Sequence, residues 1–242
     1  MKACFLLIAG CPGLEAQPYR NEAAIAVSFT DHLSLNWMLE APLTVNTQEE
    51  LQEQLFQPWE ADVKVGRHGE QTVAHCQDFF LAEKRALEPV KPNEFVSYRL
   101  MGAGCKAVSL SLALKDSTES YLGAFALNKA LAEKLPPELA FFVSASRKEA
   151  VLADPRVQSW ADVDKIVAVK RTNKHQAVFV DSDGNQREFF VLARGDYNAD
   201  GVEDILVKSV NSVSGGSYVS VKLYVLTRYK HNDRYTLLDL LS

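Results

Sequence analysis

From Lys165 onward, apolar and polar positions alternate with a period of two through KIVAVKR, QAVFVDS, REFFVLAR, DILVKSV, YVSVKLYVLTR and RYTLLDLL. Neighbouring side chains of a strand point to opposite faces, so each run predicts a strand with one more apolar side. The links carry turn chemistry: DSDGNQ contains Asp-Gly, and SVSGGSY supplies paired glycines. Consecutive strands with short links predict an antiparallel meander, its more apolar face covered by the helices of the middle region.

Upstream the spacing changes to three and four. TQEELQEQLFQPW predicts a helix capped by Thr47, with Glu50 completing a capping box. TVAHCQDFFLAEKRAL and VSYRLMGAGCKAVSLSLALKD predict two further helices. In the second, Val96, Leu100, Ala103, Ala107, Leu110 and Leu114 make the apolar stripe expected to face the core. ALNKALAEKLPPELAFFV predicts another helical stretch, broken at Pro136-Pro137. AIAVSF and ADVKVG predict two short strands. The chain therefore reads as α+β: a mixed α/β and helical region over 17–155, its helical middle packed on a C-terminal antiparallel β-sheet over 156–242.

The first residues set the compartment. MKACFLLIAGCPGLEAQ has one basic residue, a short apolar run and then small residues, as in a signal peptide over 1–16. Ile8-Ala9-Gly10-Cys11 resembles a lipobox, which would make Cys11 a lipid anchor, whereas Leu14-Glu15-Ala16 suits ordinary cleavage before Gln17. A buried first strand is the alternative to export. Export to the periplasm or the envelope would leave Cys76 and Cys105 as the thiols of the mature chain, and an oxidising compartment would join them; two buried free thiols is the other reading. A hydrophobic content of 47% is ample for a packed core. A net charge of -5 with no basic stripe gives no electrostatic footprint for nucleic acid or for a membrane surface. No segment approaches the length of a membrane span.

Chemistry concentrates in RGDYNADGVEDILV. Counting Asp196 as position one, oxygen donors fall at one, three, five and nine: Asp196, Asn198, Asp200 and Asp204. Gly201 at six can take a sharp turn, and the carbonyl of Val202 at seven can be the remaining ligand. An all-oxygen donor set with three carboxylates selects a hard cation, and suits Ca²⁺ better than Mg²⁺, which demands strict octahedral geometry. An EF-hand is excluded, because position twelve is Val207 and both flanks are β-rich. Residues 195–207 instead resemble the strand-loop-strand calcium loops of FG-GAP and VCBS-type proteins. That resemblance implies Asp196, Asn198, Asp200, the Val202 carbonyl and Asp204 as ligands, with Glu203 pointing away. A single copy does not imply a propeller. The last eighty residues also look like bacterial envelope proteins with one such loop before a strand ending in Leu-Thr-Arg, here Leu226-Thr227-Arg228.

Other motifs carry less. GAGCKA, residues 102–107, matches a dinucleotide fingerprint in letters, but lacks the strand before it and the acidic residue after it, so close helix packing explains its glycines. Asp31-His32 is half of a catalytic dyad, and His68 with His75 half of a metal site, each without a third partner. Asp181 and Asp183 read as a hairpin turn or a second cation site, and Tyr218, Tyr224, Tyr229 and Tyr235 as sheet residues or a recognition surface. Arg194-Gly195-Asp196 is a poor adhesion tripeptide if Asp196 is a ligand. These features imply an exported, non-enzymatic calcium-binding protein that acts on a protein partner, such as an inhibitor or immunity protein. The alternative is a periplasmic hydrolase using Asp31 and His32 or a carboxylate pair, with calcium holding a loop.

Overall fold

A computed structural model describes residues 23–142, 144–213, 215 and 218–241. The signal peptide over 1–16, the lipobox at Cys11 and cleavage before Gln17 lie outside the described residues. The alternating runs form strands β4 (Ile166–Asn173), β5 (Gln176–Asp181), β6 (Gln186–Gly195), β7 (Asp204–Ser212), β8 (Val219–Thr227) and β9 (Thr236–Leu241). Each pairs antiparallel with the next, as an uninterrupted meander. A two-residue strand, β1 (Ser28–Phe29), joins the same sheet by pairing with Ala193 and Arg194 at the far end of β6, beyond the stretch that β5 occupies.

The sheet is buried on both faces. Leu206, Leu223 and Val225 enter one hydrophobic cluster, and their neighbours Ile205, Val207, Tyr224 and Leu226 enter another. The first cluster is closed by α1 (Gln48–Glu53), α2 (Cys76–Lys84) and α3 (Phe95–Ala113). The second is closed by residues 122–163, which hold only short helical pieces: 3₁₀ turns at Lys129–Glu133 and Pro137–Leu139, then α4 (Ala145–Leu152) and α5 (Trp160–Val163). The helical middle therefore packs on the sheet as expected, while a second covering layer lies opposite. β4, at one end of the sheet, is the exception: past Ile166 its side chains are mostly exposed.

Local signals hold where they are strong. Thr47 caps α1 and accepts the Glu50 amide, while the Glu50 carboxylate accepts the Thr47 amide at 3.1 Å. They fail where tertiary pairing overrides periodicity. The first residues of the expected helix over 72–87 belong to β3 (Gln71–Val73), paired with β2 (Val63–Val65), and helix begins only at Cys76, capped by His75. Of 24–29, only Ser28 and Phe29 are in a strand, and Ile25 makes a lone bridge to Ser117. The expected helix over 126–143 is replaced by the two 3₁₀ turns, because Pro137 denies the chain the amide an α-helix needs.

The expected α3 stripe holds at Ala103, Ala107 and Leu114, which are buried, and at Leu110, which packs on the core, but the buried face is wider and does not begin at Val96. Val96 is 43% exposed, and the buried face also takes in Tyr98, Met101, Cys105 and Val108. Two contacts cause this. Cys105 is joined to Cys76 by a disulfide, with 5.4 Å between their Cα atoms, which draws that side of α3 onto α2. Gly102 lies under the Phe79 ring, where an added Cβ would stand 2.2 Å from Cζ. Gly102→Ala should therefore cost about 1–3 kcal/mol through overpacking. Urea unfolding would measure it, and an unchanged midpoint would show that Phe79 does not pack there.

Candidate metal loop

The β6–β7 register sets Gly195 opposite Asp204, which leaves residues 196–203 as a loop at the end of a ribbon. Asp196 and Asp204, at its two ends, are buried, and Asn198 and Asp200 near its tip are exposed. The backbone reaches this shape through left-handed conformations at Ala199 (φ 62°) and Gly201 (φ 83°). Glycine is required at the second, since a Cβ there would sit 2.9 Å from Thr118 Oγ1.

The donors organise the loop from inside. Asp196 Oδ2 accepts the Gly201 amide at 2.8 Å and Oδ1 the Asp200 amide at 3.2 Å. Asn198 Oδ1 also accepts the Asp200 amide, and Asp200 Oδ1 accepts the Val202 amide at 2.8 Å. Asp200 Oδ2 takes the Asn198 side-chain amide at 2.9 Å and the Tyr229 hydroxyl at 3.3 Å. Asp204 Oδ2 accepts the Tyr197 amide at 2.9 Å. Among the described residues, no three His, Cys, Asp or Glu side chains stand together as a metal-holding group. The loop thus offers its oxygens at alternate positions rather than as a closed cage.

Asp204 is the electrostatic centre. It is 1% exposed, and its Oδ1 is buried with no hydrogen-bond partner. Burial, reinforced by the charges of Asp200 and Asp196, pushes its pKa up to about 6, against the lowering effect of Thr227 and the Tyr197 amide. With Ile205 opposite Leu226, the β7–β8 register sets Thr227 beside Asp204. The Thr227 hydroxyl is also buried and makes no aligned hydrogen bond. A hydroxyl donor and a carboxylate oxygen thus lie side by side under the loop, and the hydroxyl favours the ionised form of Asp204. Thr227 belongs to the Leu226-Thr227-Arg228 stretch, and Arg228 Nε donates to the Tyr121 carbonyl at 2.5 Å.

A segment remote in sequence holds the loop from outside. Lys115 and Asp196 exchange backbone hydrogen bonds at 3.0 and 2.8 Å. The Gly201 carbonyl accepts the Thr118 and Glu119 amides and the Thr118 hydroxyl. Glu203 turns away from the other donors, as expected, to accept the Ser120 hydroxyl at 2.5 Å. Nothing at 194–204 signals these partners, which arrive from the exit of α3. Gly195 and Asp196 are buried, so the Arg-Gly-Asp tripeptide is not displayed.

The remaining candidates fall apart or become structural. His32 lies edge-on to Phe190, while Asp31 lines a shallow polar hollow to which His32 does not contribute. His75 Nδ1 accepts the Asp78 amide, which makes it a helix cap. Asp181 accepts the Asp183 and Asn185 amides, as a hairpin turn requires. Gly102 and Gly104 sit inside α3, with no strand leading into them. Tyr224 and Tyr235 are buried and only Tyr218 and Tyr229 are exposed, so the four do not form one recognition surface.

Together these features define an α+β protein whose six-strand meander carries an acidic loop between its third and fourth strands. No family model, curated protein or solved structure matches the chain. Among the described residues, no helix is long and apolar enough to cross a membrane.

Proposed function

We propose that the loop is a calcium site and that the protein is an exported, non-enzymatic binding protein of the periplasm or envelope. The carrying observation is Asp204: a carboxylate 1% exposed, whose pKa is pushed up to about 6 by burial and by the charges of Asp200 and Asp196, is costly in its ionised form unless a cation neutralises it. Asp196, Asn198, Asp200, the Val202 carbonyl and Asp204 would hold the ion. All come from one short loop, so the ion would stiffen the β6–β7 ribbon rather than act on a substrate. The Cys76–Cys105 disulfide supports an oxidising compartment. Binding to a protein partner, in the manner of an inhibitor or immunity protein, is the activity this reading assigns.

Calorimetry should show one Ca²⁺ bound per chain, with Mg²⁺ much weaker. At a hundredfold excess over Kd, Ca²⁺ should add about 2.7 kcal/mol of stability. Asp204→Asn should remove both the heat and the added stability, while in chelator it melts no lower than the parent because a buried charge has gone. No heat with Ca²⁺, together with melts identical in calcium and chelator, would reject the site. A pull-down from envelope extract with and without chelator tests the partner, and recovery independent of calcium would separate the loop from binding.

A further inference from the structure

A cavity of about 530 Å³ lies between α2, α3 and β8. That volume is within the range of small-molecule sites. Its apolar wall is made by Phe79 of α2, Tyr98 and Ala103 of α3, and Val221 of β8. Phe79 and Tyr98 stand with ring centroids 5.3 Å apart, so the wall is largely aromatic.

Two polar features have no structural explanation. Tyr98 is 6% exposed, yet its hydroxyl is buried without a hydrogen-bond partner. Burial and the charge of Glu83 push its pKa up to about 12, so it remains a neutral donor and acceptor. Glu83 is itself balanced by an ion pair with Lys106, whose ammonium also faces the Phe79 ring. Arg99, next to Tyr98 and lining the same cavity, is exposed and has no ion pair among the described residues. Glu88 and Lys222 line the cavity as well, so with Glu83, Arg99 and Lys106 its charged groups are three cations and two carboxylates, a surplus of one positive charge.

We infer that this cavity binds an aromatic monocarboxylate, its ring on the Phe79–Tyr98 wall, a carboxylate oxygen on the Tyr98 hydroxyl, and its charge facing Arg99. The chemistry of the walls selects each part. Aromatic faces stack with a flat ring, a buried unmatched hydroxyl favours a ligand that pairs it, and a lining with one cation more than its carboxylates favours an anion. The disulfide places Cys76 one turn before Phe79 and Cys105 beside Lys106, so it fixes the spacing of the two walls. The site shares no residue with the calcium loop, and either can fail alone.

The test uses naphthoate as probe, with naphthylmethanol as its uncharged match, in calorimetric titrations of the oxidised full chain. Naphthoate should bind saturably, with a roughly fivefold preference over the alcohol that Arg99→Gln removes. Tyr98→Phe keeps the ring and should weaken naphthoate about tenfold. Ala103→Phe fills the cavity and should abolish binding. Should that variant not fold, the Arg99 and Tyr98 variants carry the test. The proposal is overturned if the parent shows no saturable binding, or if a natively melting Ala103→Phe binds as the parent does. It is also overturned if both Arg99→Gln and Tyr98→Phe leave the titration unchanged.

Discussion

Arg187→Ala should destabilise the protein by about 3–5 kcal/mol, the largest single-residue effect expected in this fold. Arg187 is 1% exposed, on the face of the sheet covered by residues 122–163. Its guanidinium lies 5.0 Å from the centre of the Trp160 ring and 5.8 Å from that of Phe141. One Nη stands 2.6 Å from Asp164 Oδ2 and 3.9 Å from Asp181 Oδ2. Asp164 Oδ2 also accepts the Trp160 indole N–H at 3.0 Å and the Phe141 amide at 2.9 Å. The guanidinium makes no aligned hydrogen bond, so it acts as a buried charge facing two aromatic rings rather than as a fork. Burial lowers its pKa against the pull of Asp164 and Asp181, which shows that desolvation is the dominant cost. Removing the cation would leave the half-buried Asp164 and the buried Asp181 without their countercharge. Replacing both partners, as Arg187→Met with Asp164→Asn, should recover much of the loss, and urea unfolding of the double-mutant cycle would show it. A loss below about 1 kcal/mol in Arg187→Ala would mean that the ion pair does not form.

The second large effect is covalent. Cys76 and Cys105 are separated by 29 positions, and closing a loop of that size removes enough unfolded-chain entropy to stabilise the fold by about 3.5 kcal/mol. Cys76→Ala with Cys105→Ala should therefore lower the melting temperature by roughly 7–14 °C, using the 2–4 °C per kcal/mol typical of chains this long. Dithiothreitol added to the parent in denaturant should reproduce most of that loss. Melts that coincide for the parent and the double variant would place the stabilisation elsewhere.

The meander was legible in the sequence because its information is local: period-two runs, an Asp-Gly turn and paired glycines each act over a few residues. The same is true of Thr47 and Glu50. The opposite layer was not legible. Residues 122–163 fold into 3₁₀ turns and two short helices where one helical stretch was expected, and their apolar side chains, Leu122, Phe125 and Trp160 among them, declare a face only against the sheet. β3 was hidden because Gln71–Val73 becomes a strand by pairing with Val63–Val65. In the loop, the alternating donors were readable. Their setting was not: the Thr227 hydroxyl beside Asp204 and the Thr118 and Glu119 amides on Gly201 come from distant parts of the chain. Burial of Asp204, which makes the loop more than a polar turn, follows from those partners.

The mostly exposed outer strand, β4, also has a consequence. Lys170 and Arg171 lie on it, with Lys165 and Lys174 just beyond its two ends. A second copy docking there to lengthen the sheet would set cation against cation and strip water from both. The charge along this border therefore opposes templated stacking of one copy on another.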